Sequence, residues 1–301
     1  VGRGVSRVKA GDHVVCSFIP NCGHCRWCAT GQQAICDWGA TILDGNLPGP
    51  RWPLTGPRGE YGAMCMLGTF SQYGTLHENS VVRIDDDLPL DKAALVGCGV
   101  PTGWGSAVYA ADVRAGETIV VYGIGGIGSN AVQGARYAGA KNVIAVDPVE
   151  FKRENAEAFG ATHSVATGQE AEELAFRLTN GVGADKAIVT VGRLDDGVVS
   201  EGFTSVRKGG TIIITGVGRL DEISIQLPGS LLQLYKKTVK GTLFGDCNPS
   251  HDIPKILDLY RVGDIKLDEL ITKTYTLDEI NQGYQDLEDG KNIRGLIKHE
   301  H

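Results

Sequence analysis

Ile119-Val120-Val121-Tyr122-Gly123-Ile124-Gly125-Gly126-Ile127-Gly128 is the stretch on which the reading of the chain turns. Four consecutive apolar residues with no polar alternation suit a strand buried on both faces. The G-x-G-x-x-G turn leads into a segment where Ile127, Ala131, Ala135 and Ala138 recur at helical spacing. A second apolar strand, Val143 to Val146, then ends on Asp147. Strand, glycine turn, helix, strand and acidic residue in that order form the pattern that receives a dinucleotide. Gly123 permits the tight turn, Gly125 and the adjoining Gly126 let backbone approach a pyrophosphate, and Gly128 lets the helix pack close to the strand. The helix N-terminus then faces the phosphate charge. Asp147 is placed to accept from ribose hydroxyls and to repel a 2′-phosphate, which favours NAD over NADP.

Downstream, Ala187 to Val191, Ile212 to Ile214 and Val239 to Leu243 are further strand candidates with helical segments between them. Such alternation predicts a doubly wound parallel sheet. Upstream, His13 to Cys16 and Ser80 to Ile84 read as short strands. The Gly/Pro-rich stretch from Gly39 to Gly68 lacks periodicity, and a loop of that length is usually functional or packed over a site. Beyond residue 244 the alternation stops. Thr276-Leu277-Asp278-Glu279 is a capping box opening a helix that Gly290 closes, and Gly295 to Lys298 reads as a last strand. The predicted division is 1–99 with 244–301 as a β-rich unit, and 100–243 as the dinucleotide-binding unit.

Cys22, Cys25, Cys28 and Cys36 form C-x2-C-x2-C-x7-C. Two-residue gaps let successive thiolates converge on one cation, and the longer gap returns the fourth. Four thiolates suit tetrahedral zinc and close its coordination shell, so the role read here is structural. The metal would order a loop with too little apolar mass to order itself. A disulfide pair or a nucleic-acid zinc module is the competing reading; the latter is poorly served by Arg26 as the lone basic residue among the ligands. His24 reads as a loop side chain, and Cys16, Cys65 and Cys247 as structural.

The totals agree with a two-domain enzyme: 301 residues exceed one ordinary core, and 29 Lys+Arg against 36 Asp+Glu give a net charge of −7. That charge argues against binding phosphate backbones. No apolar run is long enough for a bilayer and no signal-type start is present, so the expected partners exclude membranes and the expected location is the cytoplasm. The first residues, from Val1 to Asp12, read like the middle of a domain, and a preceding segment is expected.

These motifs together resemble the zinc-dependent medium-chain alcohol dehydrogenases. The carriers are Val8-Lys9-Ala10-Gly11-Asp12-His13-Val14, the cysteine lobe, Gly97-Cys98-Gly99-Val100-Pro101-Thr102-Gly103-Trp104-Gly105, the glycine loop, and Asp147 with Lys152. Cys16 to Cys22, Gly62 to Thr69, Gly283 to Leu287 and Asn292 to Gly295 are similar to the bacterial subgroup assayed with N,N-dimethyl-4-nitrosoaniline as electron acceptor. The resemblance implies a GroES-like catalytic domain, incomplete at its N-terminus, beside a Rossmann domain. It implies zinc and NAD as cofactors, hydride transfer between a primary alcohol and its aldehyde, and a homodimer or higher oligomer joined through Glu222 to Leu227 and Val239 to Leu243. It makes Cys98 one ligand of a catalytic zinc, with the other ligands in segments this chain does not contain. It carries Lys152 to the adenosine ribose, Gly192 and Arg193 to the adenine end, Thr102 and Ile127 to the nicotinamide, and Arg294 to the pyrophosphate. The backbones around Val217 and Phe244 would hold the carboxamide. The rivals are a thiol-adduct formaldehyde dehydrogenase on the same scaffold and a non-catalytic NAD-binding protein.

Overall fold

The structure, a computed structural model, describes residues 1–47, 51–192, 194, 196–217 and 225–299. Arg193 and the 222–224 portion of the expected association segment lie outside the described residues.

The first part of the chain forms β1 (Val14–Cys16), the hairpin of β2 (Leu54–Gly56) and β3 (Gly59–Tyr61), and β4 (Val81–Arg83), with β1 and β4 paired antiparallel. The hairpin lies inside the Gly39–Gly68 stretch, which therefore carries structure of its own. Its solvent-facing residues left no alternation to read.

The alternating part forms β5 (Thr118–Tyr122), β6 (Asn142–Val146), β7 (His163–Val165), β8 (Ala184–Val189), β9 (Val206–Ile214) and β10 (Thr238–Gly241). They make one sheet in the order β10-β9-β8-β5-β6-β7, parallel throughout, with β5 at the centre where the winding reverses. All five residues of β5 are buried, as are all five of β6. Burying each Val or Ile side chain contributes about 1.5–3 kcal/mol, so the two central strands carry much of the drive to fold. β9 is longer than Ile212 to Ile214 because its first half includes polar Arg207 and Lys208, which an apolar criterion skips.

Beyond residue 244, where the sequence suggests that alternation stops, helices and strands continue to alternate. A helix at Pro249–Arg261 is present, capped by the Asn248 side chain accepting from Ser250 N–H, with Pro249 in the first turn. Its Ile253, Ile256 and Leu257 are fully buried. The expected capping box at Thr276 and Glu279 is formed, the helix runs from Ile280 to Glu288, and Gly290 takes φ +69 just beyond it. β11 (Ile271–Tyr275) and β12 (Arg294–Ile297) then pair parallel in a small sheet of their own.

Candidate functional site: a glycine cradle and a cysteine lobe

Register in the parallel sheet builds the cradle. Tyr122 pairs with Val146 on one side and Val189 on the other, so β5, β6 and β8 end level. Gly123, Asp147 and Thr190 consequently stand in a row at the carboxyl edge, the position where open parallel sheets receive ligands. Gly123 has φ +87, and its carbonyl accepts from Thr190 Oγ1 at 2.7 Å. A Cβ on Gly128 would overlap the Gly123 carbonyl oxygen and lie 2.8 Å from Thr190 Oγ1, so only glycine lets the helix Gly128–Tyr137 start this close to the strand. A Cβ on Gly125 would meet nothing within 4 Å. The space in front of that residue is open.

A cavity of about 500 Å³ occupies this edge. Gly123, Gly125, Gly126, Ile127, Asp147, Lys152, Gly192 and Arg294 all line it. Thr102, Gly128, Val217 and Phe244 do not. Gly128 is packing rather than lining, and Val217 is largely exposed. Thr102 donates its hydroxyl to the Cys98 carbonyl at 2.7 Å. Phe244 is buried against Phe18, with ring centroids 5.5 Å apart, and takes φ +56 where residues 244–246 pack on the helix Gly99–Gly105.

Asp147 is 4% exposed, which narrows what it can do. Its Oδ2 accepts from the Ile124 N–H at 2.8 Å and its Oδ1 from the Val149 N–H at 2.9 Å. Each carboxylate oxygen keeps one further acceptor site. The aspartate thus braces the glycine loop as well as facing the cavity.

Arg294 enters from β12, outside the large sheet. Its guanidinium lies against Gly99 and Gly126, where any Cβ would collide with it. Burial pulls its pKa down, with the Cys98 thiol acting in the opposite direction. It forms no ion pair among the described residues. A half-buried guanidinium without a carboxylate, set against a glycine loop, is chemically suited to an anion.

Cys98 is solvent-exposed as a residue, yet protein crowds its thiol: burial raises its pKa, opposed by Arg294 and reinforced by Cys65. Cys65, read from sequence as structural, therefore lies within electrostatic reach of Cys98. Thr190 and Asn292, which also shape the cradle, carried no sequence signal beyond their position after a strand and before one.

The cysteine lobe is the other centre. The Sγ atoms of Cys22, Cys25, Cys28 and Cys36 lie within 4.8 Å of one another, and all four thiols are free. Cys22 and Cys28 Sγ are 3.9 Å apart, Cys25 and Cys36 Sγ 4.0 Å. Tetrahedral zinc with Zn–S near 2.3 Å requires sulfurs roughly 3.8 Å apart, so the donor set fits that ion. The Cys25 N–H points at Cys22 Sγ at 3.2 Å, which suits a thiolate. His24 turns away to the Cys22 carbonyl. Cys98 belongs to no comparable group of His, Cys, Asp or Glu among the described residues.

Fold and site together define an α/β protein with a four-thiol lobe whose donor set fits zinc and a glycine cradle at the carboxyl edge of its sheet. Residues 126–261 match the family described as zinc-binding dehydrogenase, and 1–86 match the alcohol dehydrogenase GroES-like domain. The chain is 59% identical over 299 residues to an NDMA-dependent alcohol dehydrogenase of Amycolatopsis methanolica, covering 99% of this chain and 81% of that protein. Among solved structures, an alcohol dehydrogenase zinc-binding domain protein from Burkholderia ambifaria superposes with TM-score 0.91 at 30% identity, covering 100% of this chain and 81% of that one. Benzyl alcohol dehydrogenase from Acinetobacter calcoaceticus superposes with TM-score 0.88 at 29% identity, with the same coverage. The chain belongs to the zinc-binding alcohol dehydrogenase family, and it resembles the NDMA-dependent type expected from the motifs.

Proposed function

We propose that the chain is an NAD-dependent zinc alcohol dehydrogenase acting on a primary alcohol and its aldehyde, with NAD lying in the cradle. The observation that carries this reading is the convergence of eight residues from four separate segments on one cavity, with Arg294, which has no ion-pair partner among the described residues, against the glycine loop. In this reading Gly125 and Gly126 admit the pyrophosphate, Arg294 neutralises it, Asp147 and Lys152 take the adenosine ribose, and Gly192 with Arg193 flanks the adenine. Thr102 and Ile127, with the backbones of Val217 and Phe244, lie toward the nicotinamide. NAD, when bound, accepts the hydride; the protein's own part is to fix the ring and exclude water.

Cys22, Cys25, Cys28 and Cys36 hold a structural zinc in this reading. Cys98 is the ligand this chain offers to a second, catalytic zinc, and a single thiol does not hold that ion by itself. The units 1–99 with 244–301 and 100–243 act as catalytic and cofactor units, in the cytoplasm. The exposed outer edge of β10 offers a surface for pairing with a second copy, giving a homodimer or a higher oligomer. No helix among the described residues is long and apolar enough to cross a membrane.

The experiment is equilibrium titration of the zinc-loaded chain with NADH and NADPH, followed by fluorescence. The reading expects saturable NADH binding at one site and weaker NADPH binding because Asp147 repels the 2′-phosphate. Equal binding of both would remove Asp147 from the cofactor site.

A further inference from the structure

The cradle depends on Arg294, yet nothing in the glycine loop fixes where that arginine starts. β12 is short, and the turn ahead of it is built from residues 290–293. Lys291 N–H donates to the Asp286 carbonyl at 2.9 Å, and Ile293 N–H donates to Thr272 Oγ1 at 3.0 Å. Between these anchors lies a buried relay. Asn292 Nδ2 donates to the Tyr275 hydroxyl at 3.2 Å, and that hydroxyl donates to Asp286 Oδ2 at 2.8 Å. Lys273 Nζ and Gln282 Nε2 donate to the same carboxylate at 2.5 and 2.9 Å. The polarity of the relay is fixed, because an ionised carboxylate only accepts, so the tyrosine must donate to it and accept from the asparagine. Asn292 Oδ1 is thereby left buried with no partner. Tyr275 lies across the turn because residue 295 is glycine; a Cβ there would be 2.7 Å from Tyr275 Cε2.

Tyr275, Asp286 and Asn292 are all at most 4% exposed. A buried carboxylate with its donors is seldom more stabilising than apolar residues of the same volume, so stability alone is a weak reason for this group. Its geometry supplies another. Asn292 and Ile293 line the cradle beside Arg294, so the relay ends two residues from the guanidinium.

We propose that Asp286, Tyr275 and Asn292 are positioning residues whose hydrogen-bond relay sets the 290–293 turn and so aims Arg294 at the pyrophosphate of a bound dinucleotide. The proposal rests on the reading of Arg294 as the pyrophosphate-binding cation. Tyr275 and Asp286 do not line the cradle and act through the arginine, while Asn292, at its wall, links them to Arg294.

The test is isothermal titration of the full chain and its variants with NADH and with adenosine, which lacks the pyrophosphate. Tyr275→Phe and Asp286→Asn are expected to weaken NADH about tenfold, the scale of a displaced charge-assisted hydrogen bond, and to leave adenosine within about twofold. The unchanged adenosine affinity also shows that the variant has folded; if Asp286→Asn does not fold, Tyr275→Phe carries the test. In an Arg294→Ala background, Tyr275→Phe is expected to add less than about twofold, because the group it aims is gone. The proposal is overturned if Tyr275→Phe leaves NADH binding intact, weakens both ligands alike, or adds its full effect without Arg294. If Arg294→Ala itself leaves NADH affinity unchanged, the reading of Arg294 fails first and takes the proposal with it.

Discussion

Gly128→Ala is the sharpest perturbation of the cradle. The new methyl group would overlap the Gly123 carbonyl oxygen, stand 2.9 Å from the Gly123 carbonyl carbon and 2.8 Å from Thr190 Oγ1. Two of those three atoms are backbone at the end of a fully buried strand, so the helix must move instead. Forcing a methylene-sized group into such packing costs about 1–3 kcal/mol. Moving Gly123 also loosens the Thr190 Oγ1 hydrogen bond, which is worth about 1 kcal/mol. The expected destabilisation is therefore about 2–4 kcal/mol, by the same overpacking argument. Urea unfolding followed by circular dichroism measures it, and NADH titration of the folded variant measures the accompanying loss of binding. Gly125→Ala is the control. Its Cβ meets nothing within 4 Å, so stability should change by under about 0.5 kcal/mol while NADH binding weakens, because the methyl group occupies the approach to the loop. A Gly128→Ala protein as stable as the parent, or a Gly125→Ala protein that binds NADH unchanged, would refute the account of how the two glycines divide their roles.

Further outcomes follow from the same geometry. Cys25→Ser is expected to lose the lobe's zinc, measured by elemental analysis, whereas Cys98→Ser keeps it. Acidification should release this zinc as the thiolates take up protons, since only the ionised form is a ligand. Asp147→Ser is expected to narrow the preference for NADH over NADPH and to lower stability by about 1–3 kcal/mol, because the Ile124 and Val149 N–H groups lose their acceptors. The Lys273 ammonium, with Tyr275 and Gln282, holds the Asp286 carboxyl well below the usual carboxylate range. A depressed folded-state pKa gives stability that is present above the unfolded value of about 3.9 and is lost as pH falls below it. Asp286→Asn should therefore flatten the acid limb of a stability–pH curve measured by thermal melts, and an unchanged limb would remove Asp286 as a contributor.

The fold was legible where one physical constraint dominates. β5 and β6 are buried on both faces and read as continuous apolar runs; the four cysteines announce their ion by spacing alone. The glycine loop was legible because φ +87 at Gly123 and the overlap at Gly128 leave no other residue type possible. What was hidden depends on contacts distant in sequence. The helix Pro249–Arg261 does carry a helical signal in Asn248-Pro249 and the spacing of Ile253, Ile256 and Leu257, but it follows a point where the strand alternation ends. Arg294 was placed through family resemblance alone, since no local pattern says that β12 delivers it to Gly126. The second duty of Asp147, bracing Ile124 and Val149, cannot be seen without the level strand ends. Thr190 pins Gly123 across 67 residues of chain, a separation that spacing does not encode.

The central claim is that one chain carries a thiolate-bound zinc in its cysteine lobe and a dinucleotide in its glycine cradle. Native mass spectrometry of the chain purified with zinc and titrated with NADH measures both at once. The account predicts a species bearing one lobe zinc and one NADH per chain, with the zinc lost in Cys25→Ser and the NADH occupancy lowered in Gly125→Ala. A folded chain that takes up NADH only at sites insensitive to Gly125→Ala, or that retains its zinc after Cys25→Ser, would contradict it.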